Sequence, residues 1–178
     1  MIGTPLDVLP LIRGVQLVLN GYNGYTKDSR FENDKMIREE ISRAASRVRS
    51  HMQNIFDSKF KEGELSIARA AKQCMEECDY LIEDVNKSAS GMKHAFLSGQ
   101  RTPSNKDLKK LITHDHEVIE MITTAVNLAN SSEHSIATGE GDPKKIILQT
   151  TQKISSCRGF YGSRAKILSG LKQKRVKK

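Results

Sequence analysis

The chain has no tryptophan and only 5% aromatic residues, so any core it builds must be aliphatic. Leu, Ile, Val, Ala and Met pack well along helix faces, and at 178 residues there is enough chain for one substantial core. Cysteine is equally scarce. Three residues, Cys74, Cys78 and Cys157, are too few and too odd in number for a secreted disulfide framework, which points to a reducing, intracellular setting. The N-terminus has no signal-peptide pattern, since Asp7 and two prolines interrupt it. The longest apolar run, Leu6 to Leu19, contains Arg13 and falls short of the roughly 20 residues that a bilayer requires, so a soluble protein is expected. No alternating run bounded by hairpin turns reads as a strand, and no internal repeat is visible.

Acid is missing from one whole end. Every Asp and Glu lies at or before Asp142; from Pro143 to Lys178 there is none, against 11 Lys and Arg. The first 142 residues, with 18 bases against 21 acids, carry −3 of the net +8. Asymmetry of this kind marks a candidate surface for an anionic partner.

What is present is helical periodicity. Pro5 after Thr4 opens a short apolar helix running to about Asn20, with Pro10 able to bend it or delay its start. After Gly21-Tyr-Asn-Gly24, the capping-box pattern Ser29-x-x-Glu32 starts a helix whose stripe is Ile37, Ile41, Ala44, Val48, Met52 and Ile55. Gly63 is the expected break. The next stripe is Ala68, Ala71, Met75, Cys78, Leu81 or Ile82, Val85, Ala89, Met92 and Phe96, closed by Gly99. Ser104 and Asp107, or Thr102-Pro103 one turn earlier, open a third stripe, Leu108, Leu111, Asp115, Val118, Ile122, Ala125 or Val126, and Ala129, in which the acid implies a slight rotation. Residues 130–142 read as a loop of about a dozen residues, rich in Ser, Thr and Gly. Asp142-Pro143 starts the last stripe, Ile147, Thr150, Ile154, Cys157, Tyr161, Ala165 and Leu168, with a break expected in the stretch from Arg158 to Ser163 because of Gly159 and Gly162. The expected architecture is an all-α, antiparallel four-helix bundle of long helices, coiled-coil-like in its packing. A short N-terminal apolar helix precedes it. One domain spans 1–171 and a flexible basic tail spans 172–178.

Few residues offer chemistry. Carboxylate-bridged metal sites in bundles use Glu-x-x-His, which is absent here; Glu117 and Glu120 flank a core stripe. His114 and His116 point about 200° apart on a helix and cannot share an ion, so both read as solvated. Cys74 and Cys78 read as buried, inert thiols. Gly139-Glu-Gly-Asp-Pro143 lacks the Gly-Lys-Ser/Thr ending of a phosphate loop and is acidic. No catalytic residue, metal or cofactor is therefore expected.

The anion-binding candidates are Lys144, Lys145, Lys153, Arg158, Arg164, Lys166, Lys172, Lys174, Arg175, Lys177 and Lys178. Phe160 and Tyr161, between Arg158 and Arg164, are possible stacking residues, although an unbroken helix would make Tyr161 core and put Phe160 on its flank. The expected function is a non-enzymatic bundle whose basic C-terminal helix and tail engage nucleic acid, RNA or DNA, through phosphates. Two alternatives stand beside it. One is a protein–protein adaptor or self-associating scaffold with an apolar seam formed by Met52, Met75, Met92 and Met121. The other is a peripheral membrane protein using the N-terminal helix and the basic segment on an anionic surface.

Overall fold

The computed structural model describes residues 8–26, 28–90 and 104–170. Among them there are helices and no strand. They are α1 (Leu9–Gln16), α2 (Arg30–Lys61), α3 (Leu65–Ser90), α4 (Asn105–Thr138), α5 (Pro143–Gly162) and α6 (Arg164–Gly170). The expected start at Thr4, the far end of the third-helix stripe from Met92 to Gly99, and the tail 172–178 lie outside the described residues.

The chain divides into two compact units. One comprises 1–40, 86–119 and 160–178, the other 41–85 and 120–159, so α2, α3, α4 and α5 each contribute residues to both.

The second unit holds two helical hairpins. Its core is the expected stripes in register: Ile41, Ala44, Val48, Met52 and Ile55 from α2, Ala68, Ala71, Cys78, Leu81 and Val85 from α3, Ile122, Ala125 and Ala129 from α4, and Ile147, Ile154 and Cys157 from α5, all buried. Cys74 rather than Met75 fills the intervening position. Helix α2 ends in a Schellman motif. Gly63 takes φ +80°, the Glu64 amide donates to the Lys59 carbonyl at 2.9 Å, and the Gly63 amide donates to the Phe60 carbonyl at 3.2 Å. Asp142 caps α5 through the Lys145 amide at 3.0 Å, with Pro143 as its first residue.

Helix α4 runs nine residues further than expected, to Thr138, and only 139–142 remain as the link to α5. Ser131, Ser132 and Thr138 do not break the helix because their hydroxyls return to the carbonyls four residues back, at 2.9, 2.9 and 3.0 Å. Ser132 and Ser135 then continue the buried stripe with their polar atoms satisfied.

The first unit is built on α1, the loop after it, the opening turns of α2 and α4, and α6. Helix α1 begins at Leu9 with Pro10 in its first turn, and its apolar residues Ile12 and Val15 are buried. Gly14 meets α4 so closely that a Cβ would lie 2.6 Å from the His116 ring. Ser104 caps α4 as expected, accepting from the Asp107 amide at 3.2 Å and donating to its carboxylate at 2.8 Å. Helix α2 starts at Arg30, directly after Ser29, whose hydroxyl donates to Asn23 Oδ1 at 2.6 Å; Asn33 closes the cluster from the helix, donating to the same Asn23 oxygen at 2.7 Å. Gly159 does not break α5, which continues to Gly162; the break falls at Ser163.

These two classes of glycine give a paired prediction. Gly159 is helical with open space at its Cβ position, whereas Gly63 is held in the left-handed region. Gly159→Ala should raise stability in a urea melt by about 0.5–1 kcal/mol, and Gly63→Ala should lower it by about 1 kcal/mol. Shifts of the same sign in both would contradict a helix that runs through Gly159 and one that stops before Gly63.

Candidate functional site

Asp115 falls on the third apolar stripe, and an acid there cannot face hydrocarbon alone. The first unit surrounds it with donors. Arg164, the first residue of α6, pairs with Asp115 through Nη1, and with Asp34 of α2 through Nη2 at 2.9 Å. Tyr25 and Tyr22 donate to the other Asp115 oxygen at 2.5 and 2.9 Å, Arg164 also donates to the Tyr25 hydroxyl, and Arg38 holds Asp34 at 2.9 Å. Two guanidinium groups face two carboxylates, so the cluster is neutral overall. The side chains of Asp34 and Asp115 have no exposed area and that of Arg164 has 2%. Burial pushes the Asp115 carboxyl above its ordinary range against the opposing pull of Arg164. Burial alone would lower Arg164, but Asp115, Tyr25 and Asp34 outweigh it and hold the guanidinium well above its ordinary value. Tyr25 occupies the left-handed region at φ 65°, a strained setting for a bulky residue, and the hydrogen bonds at its hydroxyl fix it there.

The break at Ser163 has a second consequence. The Phe160 carbonyl, freed from the helical ladder, accepts from the Ser163 amide at 3.0 Å, the Ser163 hydroxyl at 2.7 Å and His114 Nε2 at 3.0 Å. Because a carbonyl only accepts, His114 carries its proton on Nε2. The same imidazole stacks on the Phe160 ring, with centroids 4.5 Å apart and planes 8° from parallel. His114 is therefore buried, not solvated as expected, while His116 is half-buried against α1.

Beside this stacked pair lies a cleft of about 450 Å³. Phe160, His114, Thr113, Ser163 and Ile167 line its inside, and Lys106, Lys109, Lys110 and Glu117 bring charge to it from α4. The three lysines belong to the part of the chain that sums to net acid, and the charge map of the sequence hid them. Their spacing, three and four residues apart on one helix face with Thr113 and Glu117, was the signal available.

The predicted basic residues are scattered. Arg164 is corrected outright as an anion-binding residue: it is internal, and both of its terminal nitrogens are engaged by Asp34, Asp115 and Tyr25. Arg158 is half-buried and engaged, bonding Asp84 at 2.6 Å and approaching Glu77 at 4.0 Å, with its guanidinium 5.0 Å from the Tyr80 ring centre. Lys144 is exposed and donates to Ser66 at 2.7 Å; Lys145 and Lys166 are exposed. Lys153 lines a groove of about 400 Å³ with Leu128, Gln149, Gln152 and Ser156. Tyr161 is 4% exposed and belongs to the core, which removes it as a stacking residue, whereas Phe160 is half-buried at the cleft. Lys172, Lys174, Arg175, Lys177 and Lys178 lie outside the described residues. Of the candidates among the described residues, Phe160 alone sits in the cleft.

Cys74, Cys78 and Cys157 are buried and form no disulfide among the described residues, and burial pushes the Cys157 thiol up to about 12. Among the described residues no group of His, Cys, Asp and Glu could hold a metal ion, and no helix is long and apolar enough to cross a membrane. Met52 is buried, Met75 and Met121 are half-buried, and Met92 lies outside the described residues, so the expected methionine seam does not form a described surface. No family model matches the sequence, and no curated protein or solved structure matches it.

Two measurements check the site. Arg164→Ala leaves two buried carboxylates short of a partner and should cost about 3–5 kcal/mol in chemical denaturation; a loss under about 1 kcal/mol would contradict the buried pairing. Burial holds His114 below the ordinary histidine value of 6.5 despite the hydrogen bond to Phe160. The unfolded chain then takes the proton first as pH falls. The stability His114 contributes is complete above 6.5 and drains as pH drops through its lower folded value. The wild type should therefore lose more stability from about pH 7 to about pH 5 than His114→Gln, and the comparison cancels the opposite drift of Asp115. Equal losses would place His114 in solvent.

Proposed function

We propose that the chain is a non-enzymatic binding module on an antiparallel four-helix bundle, and that its partner is nucleic acid, held through phosphates at the cleft of the first unit. One observation carries this reading: Lys106, Lys109 and Lys110 stand together at a cleft lined by an aromatic ring. Clustered lysines contribute affinity by releasing counterions from a phosphate chain, and an aromatic surface beside them suits a base. Glu117 opposes this charge and leaves the rim at net +2 with His114 neutral. Lys166 is a secondary contact in this reading, together with the basic residues 172–178. Cysteines that form no disulfide among the described residues suit a reducing, intracellular compartment.

The membrane alternative weakens because Ile12 and Val15 of α1 are packed inside the first unit, while Leu17, at 89%, stands exposed just past the end of the helix. The adaptor alternative rests on Leu17, Val18 and Phe31, which are exposed but line neither the cleft nor the Lys153 groove.

Truncation after Asp142 would remove α5 and α6 and with them core residues, so the test is a surface variant of the full chain. A combined Lys106→Ala, Lys109→Ala, Lys110→Ala variant should bind labelled oligonucleotides at least about tenfold more weakly at low salt. Its slope of log affinity against log salt should be shallower by about two, from roughly 0.7 per phosphate on a single strand. A Lys144→Ala, Lys145→Ala variant should lose much less. The reverse order would move the interface to α5.

A further inference from the structure

We infer that the cleft selects single-stranded nucleic acid by stacking one unpaired base on Phe160, with neighbouring phosphates on Lys106, Lys109 and Lys110. The inference rests on the nucleic-acid reading above and adds what the partner must look like. Phe160 presents a platform that is fixed before any ligand arrives. One face of its ring is covered by His114, and the same imidazole is tied to the Phe160 carbonyl, so stacking and hydrogen bonding restrain a single residue from one side. Ser163 adds two more bonds to that carbonyl. Phe160 is only half-buried and lines the cleft, where Ile167 and Thr113 continue the surface. A base entering there extends an existing His–Phe stack at little ordering cost, because the platform gives up no rotamer freedom on binding.

The charge is placed to match. From Lys106 to Lys110 the helix rises about 6 Å, one turn, and long flexible lysine side chains over that span can follow adjacent phosphates of an extended strand. The cleft, at about 450 Å³, has room for a base but not for a duplex. A duplex keeps its bases paired, and extruding one costs a few kcal/mol, so it can reach the rim lysines but not the ring. Phosphate contact alone would treat the two forms alike apart from charge density; the aromatic floor separates them.

The test uses the full chain with fluorescein-labelled oligo-dT, oligo-U and a hairpin duplex, and anionic phosphatidylserine vesicles as a further arm. Phe160→Trp introduces the chain's only tryptophan, a direct reporter. Its emission should be quenched on adding single strands and not on adding the duplex. Phe160→Leu keeps an apolar floor and removes the stacking ring, and should lose about fivefold or more in single-strand affinity while duplex binding stays within about twofold. Circular dichroism melts check that both variants remain folded. If the triple-lysine variant weakens binding but Phe160→Leu does not, and no quenching occurs, base stacking is overturned and the nucleic-acid reading stands. If neither strands nor duplex bind, both readings fall. Lysine-dependent binding to vesicles alone would overturn both in favour of a lipid surface.

Discussion

A guanidinium taken out of water is among the most demanding groups a small protein can bury, and here the first unit is arranged around one. Arg164 meets Asp115 of α4, Asp34 of α2 and the Tyr25 hydroxyl, while Tyr22 completes the Asp115 shell. Three stretches of chain far apart in sequence, around residues 22–34, 115 and 164, must be in place before the charges are compensated. Any element that moves away leaves an ion exposed to hydrocarbon, so the cluster acts as a specificity device as much as a source of stability. It accounts for several local features that would otherwise look unfavourable. Tyr25 accepts a left-handed backbone because its hydroxyl is needed at Asp115. Gly24 is left-handed too, and a Cβ there would meet Ile12 at 2.6 Å, so the loop enters the core only with glycine at that position.

The same constraint shapes the candidate site. Bringing Arg164 inward requires the chain to turn after Gly162, and that turn frees the Phe160 carbonyl. His114, the neighbour of Asp115 on α4, donates to it and lays its ring on Phe160. The aromatic surface in the cleft is thus held by consecutive residues of α4, one anchoring Arg164 and the next position back anchoring Phe160. The lysines reach the cleft because they lie on preceding turns of that helix.

Much of the architecture was legible residue by residue. Caps at Ser104 and Asp142, the start directly after Ser29 and the stop at Gly63 mark helix ends because unsatisfied backbone groups and a left-handed residue are local requirements. The stripes through α2, α3, α4 and α5 are buried almost as their spacing implies. The loop expected at 130–142 failed for a local reason of the opposite kind: serine and threonine suit loops, but their hydroxyls can also be satisfied by the preceding helical turn once one face is buried.

Sequence by itself determined that the protein is helical, where most helices begin, which aliphatic residues are core, and that its C-terminal segment carries no acid, because each of these follows from side-chain chemistry and a period of about 3.6 residues. It could not determine what any single charge does. Arg164 and Lys166 sit two residues apart in the same basic segment, yet one is sealed between carboxylates and the other is exposed. Lys106, Lys109 and Lys110 disappear within a net-acidic stretch yet share one cleft with Phe160 from the far end of the chain. Charge is a property of composition; whether it is cancelled or presented depends on which distant side chains the packing brings within a few ångströms, and that only the tertiary structure decided.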